Sequence, residues 1–205
     1  MNILYSNVPG LVLGFHGCDQ ATFESVIYRG KDLRASVNKY DWLGNGIYFW
    51  ENGYQRALDW AQKAAKRKDS RIKSPAVIGA VIDLGFCLNL LDISSTEIIR
   101  AGYDALVELF KMSNKPLPRN IGPNKSGNEL YRNLDCAVIE QIHDRRKQNK
   151  ARAYDSVRGF FDEGDPIYEG SGFFEKSHIQ LCIRNPNCIK GYFIPRHFNS
   201  GFINP

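Results

Sequence analysis

Long apolar runs are missing from this chain of 205 residues, and so is any paired-cysteine motif. No stretch approaches the roughly eighteen consecutive apolar residues that a membrane-spanning helix needs, so no membrane partner is expected. Met1 to Gly17 is apolar only in patches and lacks a basic start followed by an unbroken apolar run, which gives no support to a secretory signal. The five cysteines, Cys18, Cys87, Cys136, Cys182 and Cys188, are odd in number, scattered and without C-x-x-C spacing. That argues against a disulfide framework and against a zinc site, so no metal is expected and a cytoplasmic location is. Internal repeats and low-complexity segments are absent as well. With 43% hydrophobic residues the chain can bury one good core but is short for two, so residues 1–205 are expected to form a single domain.

Excess charge is small, +5 at pH 7, but it is unevenly spread. Lys63, Lys66, Arg67, Lys68, Arg71 and Lys73 form one basic cluster, and Arg145, Arg146, Lys147, Lys150 and Arg152 form a second. Either could steer a polyanion; equally, both are what solvated helix C-termini look like.

The apolar run Leu11 to Phe15 predicts a buried strand that delivers His16 and Gly17 to its edge. A short helix opening at Thr22 and closing at Gly30 follows, then a loop over Leu33 to Leu43 with a short extended piece. Gly44-Asn45-Gly46-Ile47-Tyr48-Phe49-Trp50 combines permissive glycines with a bulky run that favours a strand. Gly53 to Arg67 carries Tyr54, Ala57, Leu58, Ala61, Ala64 and Ala65 at helical spacing. Two strands are expected around Gly85, and Ser94 with Glu97 resembles a capping box opening a helix. Asn114 to Gly127 reads as an irregular exposed loop, and Glu129 to Gln148 as another helix. Ser156 to Phe161, His178 to Arg184 and Lys190 to Ile194 read as strands. The fold class is α+β.

Three features gain meaning together: His16-Gly17 after the first strand, Gly44-x-Gly-Ile-Tyr-Phe about thirty residues later, and a late strand around Gln180. The combination resembles the NAD-binding signature of the poly(ADP-ribose) polymerase-like, or diphtheria-toxin-like, ADP-ribosyltransferases. The likeness is strongest over Phe15 to Ala65 and returns near the C-terminus; 93–152 carries no motif. It implies the ADP-ribosyltransferase fold, split mixed or antiparallel sheets forming an NAD cleft flanked by helices. It also implies NAD⁺ as substrate, with His16 on the adenosine ribose, Gly17 holding the nicotinamide carboxamide through its backbone, and Tyr48 stacked on the nicotinamide ring. Arg34 falls where such proteins place a basic contact to the adenosine half. Trp60 is either the second aromatic wall of the nicotinamide slot or a core residue of its helix. A flat, partly cationic ring suits aromatic walls.

The likeness departs at its third element. The family places a glutamate in the late strand, and aligning Ser177 to Asn185 puts Gln180 there, an amide that cannot ionise. This implies transfer of a single ADP-ribose rather than chain building. Glu175 is a candidate for the missing charge, with the alternative that it is an exposed loop glutamate; Glu51 and Asp59 are fallbacks without a motif. The loop Gly164 to Lys176, with Phe173 and Phe174, occupies the place of an acceptor-recognition loop. His178 falls on the same side of its strand as Gln180.

The expected activity is mono-ADP-ribosyl transfer to a macromolecule, nucleic acid somewhat favoured over protein by the basic clusters. Small size without accessory domains resembles bacterial toxin and phage-defence effectors, which would bring an antitoxin partner. A catalytically silent NAD or ADP-ribose binding module, an NAD⁺ glycohydrolase and an RNA 2′-phosphotransferase are the alternatives, the last fitting only His16 and Arg34.

Overall fold

The structure is a computed structural model that describes residues 10–123, 129–196 and 200–202. In chain order its elements are β1 (Val12–Asp19), α1 (Gln20–Ile27), β2 (Ile47–Glu51), α2 (Tyr54–Ala65), β3 (Pro75–Ile82), β4 (Cys87–Asn89) and α3 (Ser94–Met112). Then come β5 (Ile121–Pro123), β6 (Glu129–Tyr131), α4 (Asn133–Gln148), β7 (Ser156–Phe161), β8 (His178–Ile183), a 3₁₀ turn (Pro186–Cys188) and β9 (Ile189–Phe193). Seven strands form one sheet in the order β4-β7-β8-β2-β1-β3-β9, while β5 and β6 pair separately. Only β4 and β7 run parallel, so the chain is a mixed α and β fold on a mixed sheet.

Strand alternation sorts the side chains onto two faces. One face, with Ile47, Phe49, Ile78, Ile82, Leu181 and Ile183, is buried beneath α1 and its flanking loops. The other splits into two packed regions. Trp50 and Val77 lie with Ala57 of α2, and Cys182 and Val157 lie with Leu106 of α3 and Val138, Ile139 and Ile142 of α4. The middle strands β2 and β8 therefore pass between the two helical layers.

α2 forms where its spacing predicts, because Ala57, Ala61 and Ala64 are all buried on one stripe and their small side chains let the helix lie close to the sheet. The start of α3 differs from expectation. Ser94 does not cap it; the Asp92 carboxylate accepts from the Ser94 main-chain N–H, and the Ser95 hydroxyl turns back to the Asn89 carbonyl. The helix expected from Glu129 begins only at Asn133, since 129–131 pair with 121–123 as a short antiparallel ribbon. Asn120 then accepts from the N–H groups of both Leu134 and Asp135, capping α4 from a residue far away in sequence.

All five cysteines are buried and unpaired. Among the described residues no helix is long and apolar enough to cross a membrane, and no cluster of His, Cys, Asp or Glu could hold a metal ion.

Candidate active site

The central strands part at one point. β1 and β2 pair only at Gly14–Glu51 and Phe15–Trp50, whereas β1 pairs with β3 along its whole length and β2 with β8 from Ile47 to Trp50. Continuing the same register would set Gly17 opposite Tyr48, but the ladder stops short of them. Asn52 donates its N–H to the Leu13 carbonyl, so odd-numbered residues of β1 turn their main-chain groups toward β2. The backbone of Gly17 thus faces the gap.

His16 stands at the mouth of that gap. Its Nδ1 lies 2.8 Å from the Tyr48 main-chain oxygen, and because a carbonyl only accepts, Nδ1 carries the proton. Nε2 is left with no partner among the described residues. The ring meets Phe49 edge-on, and burial holds its pKa below the ordinary histidine value despite the bond to Tyr48. His16 and Tyr48 leave their strands on opposite faces; what joins them is that one hydrogen bond across the opening.

Tyr48 is clamped rather than reactive. Its hydroxyl donates to the Gly44 carbonyl at 2.6 Å and accepts from the Leu43 N–H at 3.0 Å. Burial, reinforced by Cys182 and Asp41, raises the phenol pKa far above its usual value, so the group stays neutral and the ring offers a fixed apolar face. The turn that receives the hydroxyl depends on Gly44, whose φ of +79° suits glycine and where a Cβ would strike Glu140 and Ile139.

Glu140 of α4 holds the turn from outside, accepting from the Asn45 N–H at 2.8 Å and pairing with Arg184, which also donates to the Asn45 carbonyl. Burial alone would raise the Glu140 pKa, but the Arg184 and Asn45 hydrogen bonds and the Arg184 charge outweigh it and hold the carboxyl below its usual range. A carboxylate with a depressed folded pKa contributes its stability above the unfolded value, about 4.3, and loses it as pH falls through the folded one. Glu140→Gln is therefore expected to cost about 1–3 kcal/mol at pH 7 and progressively less as pH falls below about 4.3, which a series of urea melts from pH 7 downward measures.

Trp60 reaches the gap from the α2 side. A Cβ on Gly17 would collide with the Ala57 carbonyl and come within 3.2 Å of Cε3 of Trp60, so the indole lies directly over Gly17. Trp60 also meets Trp50 at 5.7 Å between ring centroids. On β8, Gln180 is directly opposite Trp50, and Cys182 opposite Tyr48, which puts Gln180 on the Tyr48 and Trp50 face. Its amide has no hydrogen-bond partner among the described residues. His178, one pleat further along, sits between Trp50 at 6.2 Å and Phe161 at 5.9 Å. Gly17, Tyr48, Trp60 and Gln180 are therefore gathered on one face by three adjacent strands and one helix.

The lining contains more aromatic and cationic groups than sequence reasoning identified. Phe161 packs on Trp42 at 4.2 Å, Arg132 lies over Trp42, and Arg56 lies over Trp50. Period-two alternation through Ile47 to Glu51 was the available signal for Trp50; Trp42 had none, because loop packing brings it in, and Phe161 arrives as the last residue of β7, opposite His178 of β8. A separate groove of about 470 Å³ lies behind Asn45 against α4, with Lys39, Arg119, Cys136 and Glu140 in its wall. None of His16, Tyr48, Trp60 or Gln180 lines it, and the chemistry-bearing residues make the strand gap the stronger site.

The other candidate residues fare differently. Arg34 is exposed, two residues before Ser36, which bridges to Gly46 at the turn leading into Tyr48. Glu51 is not a charge source for the aromatic face. It leaves β2 on the opposite side from Trp50 and is held by Arg158 through bonds of 2.6 and 2.8 Å. Asp59 is likewise committed, to Lys63 and Arg56 on α2. Glu175 is exposed, and its side chain lies against Gly164, within 3.3 Å of where a Cβ would sit there.

The expected acceptor loop is a hairpin arm. Ile167 bonds to Phe173, Glu175 to Asp165 and Lys176 to Glu163 through the main chain, and Glu163 pairs with Arg56. Phe173 is exposed with Ile167 and Tyr168, whereas Phe174 is half-buried, so only the first of the two phenylalanines is presented. The basic cluster that starts in the last turn of α2 and runs on to Lys73 has all its cations exposed, while in the second cluster Arg146 and Arg152 stack on Phe86.

No family model matches the chain, and no solved structure matches it. An uncharacterized protein of Methanocaldococcus jannaschii is 23% identical to it over 192 aligned positions, which cover 86% of this chain and 83% of that protein.

Proposed function

We propose that this chain is an ADP-ribosyltransferase that moves a single ADP-ribose from NAD⁺ to a macromolecular acceptor. One observation carries the reading: the sheet opens between β1 and β2 where the backbone of Gly17, the clamped ring of Tyr48, the indole of Trp60 and the free amide of Gln180 converge. The resemblance to poly(ADP-ribose) polymerase-like enzymes assigns Gly17, Tyr48 and the Gln180 position to the nicotinamide half of NAD⁺, and we read Trp60 as the second aromatic wall.

In this reading nicotinamide enters the gap, its carboxamide meets the main chain of Gly17, and Tyr48 and Trp60 supply stacking walls. The Nε2 of His16 takes a hydroxyl of the adenosine ribose, and Arg34 approaches the adenosine half from the neighbouring loop. The bond from ribose C1′ to nicotinamide breaks through an oxocarbenium-like transition state, so orientation of the ribose is the main service the site performs. The Gln180 amide can hold ribose hydroxyls but cannot take a proton, which suits one transfer rather than chain growth.

The exposed basic cluster from Lys63 to Lys73 continues from the helix that carries Trp60 and favours nucleic acid as acceptor. A cytoplasmic toxin or defence effector restrained by an antitoxin suits a small transferase of this kind. A silent NAD-binding module is the second reading, favoured by Gln180 and by the engagement of Glu51 with Arg158.

Nicotinamide release separates the two, since a module leaves NAD⁺ intact. Incubating the protein with a cell extract and NAD⁺ labelled in its adenylate is expected to yield labelled macromolecule that resists protease and is lost to nuclease. Label lost to protease instead would make protein the acceptor, and free ADP-ribose without labelled macromolecule would make the protein a glycohydrolase. His16→Ala is expected to lower labelling on the order of 100-fold or more, because the variant loses both the ribose contact and the bond that holds the Tyr48 carbonyl at the opening.

A further inference from the structure

We propose that His178 is the base that takes the acceptor's proton in the transfer step, filling the role that Gln180 cannot. The inference rests on the transferase reading of the site and specifies how its second half proceeds.

β8 brings His178 onto the same face as Trp50, Tyr48 and Gln180, two residues and thus roughly 6–7 Å along the strand from Gln180. Its ring is held between Trp50 and Phe161. The Nδ1 atom lies 2.7 Å from the Lys176 main-chain oxygen, so Nδ1 bears the proton and the neutral ring carries its lone pair on Nε2. That Nε2 has no partner among the described residues, and it is not among the buried polar atoms sealed from solvent. His143 differs: its Nε2 is buried without a partner, out of a ligand's reach. His16 has the same tautomer as His178 but leaves its strand on the other face.

The charged groups facing His178 are few. Arg56 comes from α2 and Glu163 from the arm after β7, and the two are paired to each other; Asp162 bonds to the Ser177 hydroxyl next door. Burial lowers the pKa of His178, the bond to Lys176 opposes this, Arg56 lowers it and Glu163 raises it, with a net result below the ordinary histidine value. The imidazole is therefore neutral and able to accept a proton at pH 7.

The step balances without any further reagent. The C1′–N bond breaks and its electron pair departs with nicotinamide. A lone pair on the acceptor oxygen or nitrogen forms the new bond to C1′, and the proton that acceptor atom carried moves to Nε2. The resulting imidazolium returns its proton to water after the product leaves. The arm from Glu163 to Lys176 sets the ring through the Lys176 carbonyl, so the element beside the acceptor also fixes the base.

The test compares the intact wild-type chain with His178→Asn and His178→Ala. NAD⁺ affinity is measured by calorimetry, and transfer of adenylate-labelled ADP-ribose into a whole-cell extract is followed across pH 5 to 9. The Asn variant can keep the hydrogen bond to Lys176 but has no basic nitrogen, and melting curves verify that both variants fold. Wild-type transfer is expected to fall on the acid side, at a pH below the ordinary histidine range, as His178 becomes protonated. His178→Asn should bind NAD⁺ within about threefold of wild type and lose transfer on the order of 100-fold or more, together with that acid limb. Added imidazole should restore part of the transfer in His178→Ala.

If the Asn variant transfers at the wild-type rate with its acid limb intact, the assignment of His178 is overturned while the transferase reading stands. If it loses NAD⁺ affinity in parallel with transfer, His178 is a binding residue and not the base. If the wild-type chain itself leaves NAD⁺ intact, the transferase reading fails and the proposal goes with it.

Discussion

Tyr48→Ala is expected to eliminate NAD⁺ consumption, a loss on the order of 100-fold or more, because it removes the one aromatic wall whose position the surrounding backbone fixes. The ring is held by its hydroxyl, which joins the Gly44 carbonyl to the Leu43 N–H. Its body packs with Cys182 and Leu43 in the core beneath α4. Alanine removes all of this and should also destabilise the fold by about 3–5 kcal/mol. Tyr48→Phe separates the two effects. It keeps the ring and loses the two hydrogen bonds, so it should cost about 1–3 kcal/mol of stability while retaining NAD⁺ binding within roughly tenfold. Melting curves beside nicotinamide release from each variant give the comparison. Full activity in the alanine variant would remove Tyr48 from the site.

Gly17→Ala should be nearly as damaging for a different reason. The new methyl would collide with the Ala57 carbonyl in the backbone of α2 and press on the ring of Trp60. Backbone cannot swing aside as a flexible side chain can, so α2 must lift from the sheet at the point where Ala57 and Ala61 pack tightest. Overpacking of this kind costs about 1–3 kcal/mol. In a chain of this size that lowers the melting temperature by several degrees, at roughly 2–4 °C per kcal/mol. Displacing Trp60 while narrowing the gap should cut NAD⁺ consumption on the order of 100-fold. Unchanged activity would mean that the Gly17 backbone and Trp60 do not form a nicotinamide slot.

Much of the frame was legible in the sequence because it follows from local pattern. The alanine stripe of α2 reports a buried face, the β-favouring runs mark β7 and β8, and the glycines before Ile47 report the tight turn into β2. Gln180 and His178 came out on one side of β8 for the same reason. What the sequence concealed is tertiary. Asn120 caps α4 from thirteen residues before its first residue, and a short ribbon of 121–123 with 129–131 replaces the first turn expected of that helix. At the start of α3 an Asx turn, in which Asp92 accepts from the Ser94 N–H, takes the place of the capping box expected from Ser94 and Glu97.

The candidate site shows the same division. His16, Gly17 and Tyr48 were singled out by the family resemblance, but the opening between β1 and β2 could not be read from the sequence, since a strand run carries no mark of where its ladder stops. Glu51 looked available for chemistry until the fold brought Arg158 to it from more than a hundred residues away. Trp42 and Arg132, both outside the strands, complete the aromatic face against Phe161 of β7 through contacts that no periodicity encodes.

The most direct measurement is chromatography of NAD⁺ after incubation with the purified chain and a cell extract. A pocket that seats nicotinamide and lets it depart should yield free nicotinamide in step with ADP-ribose attached to macromolecule, and His16→Ala should suppress both. Complete recovery of intact NAD⁺ from the wild-type protein would contradict the account.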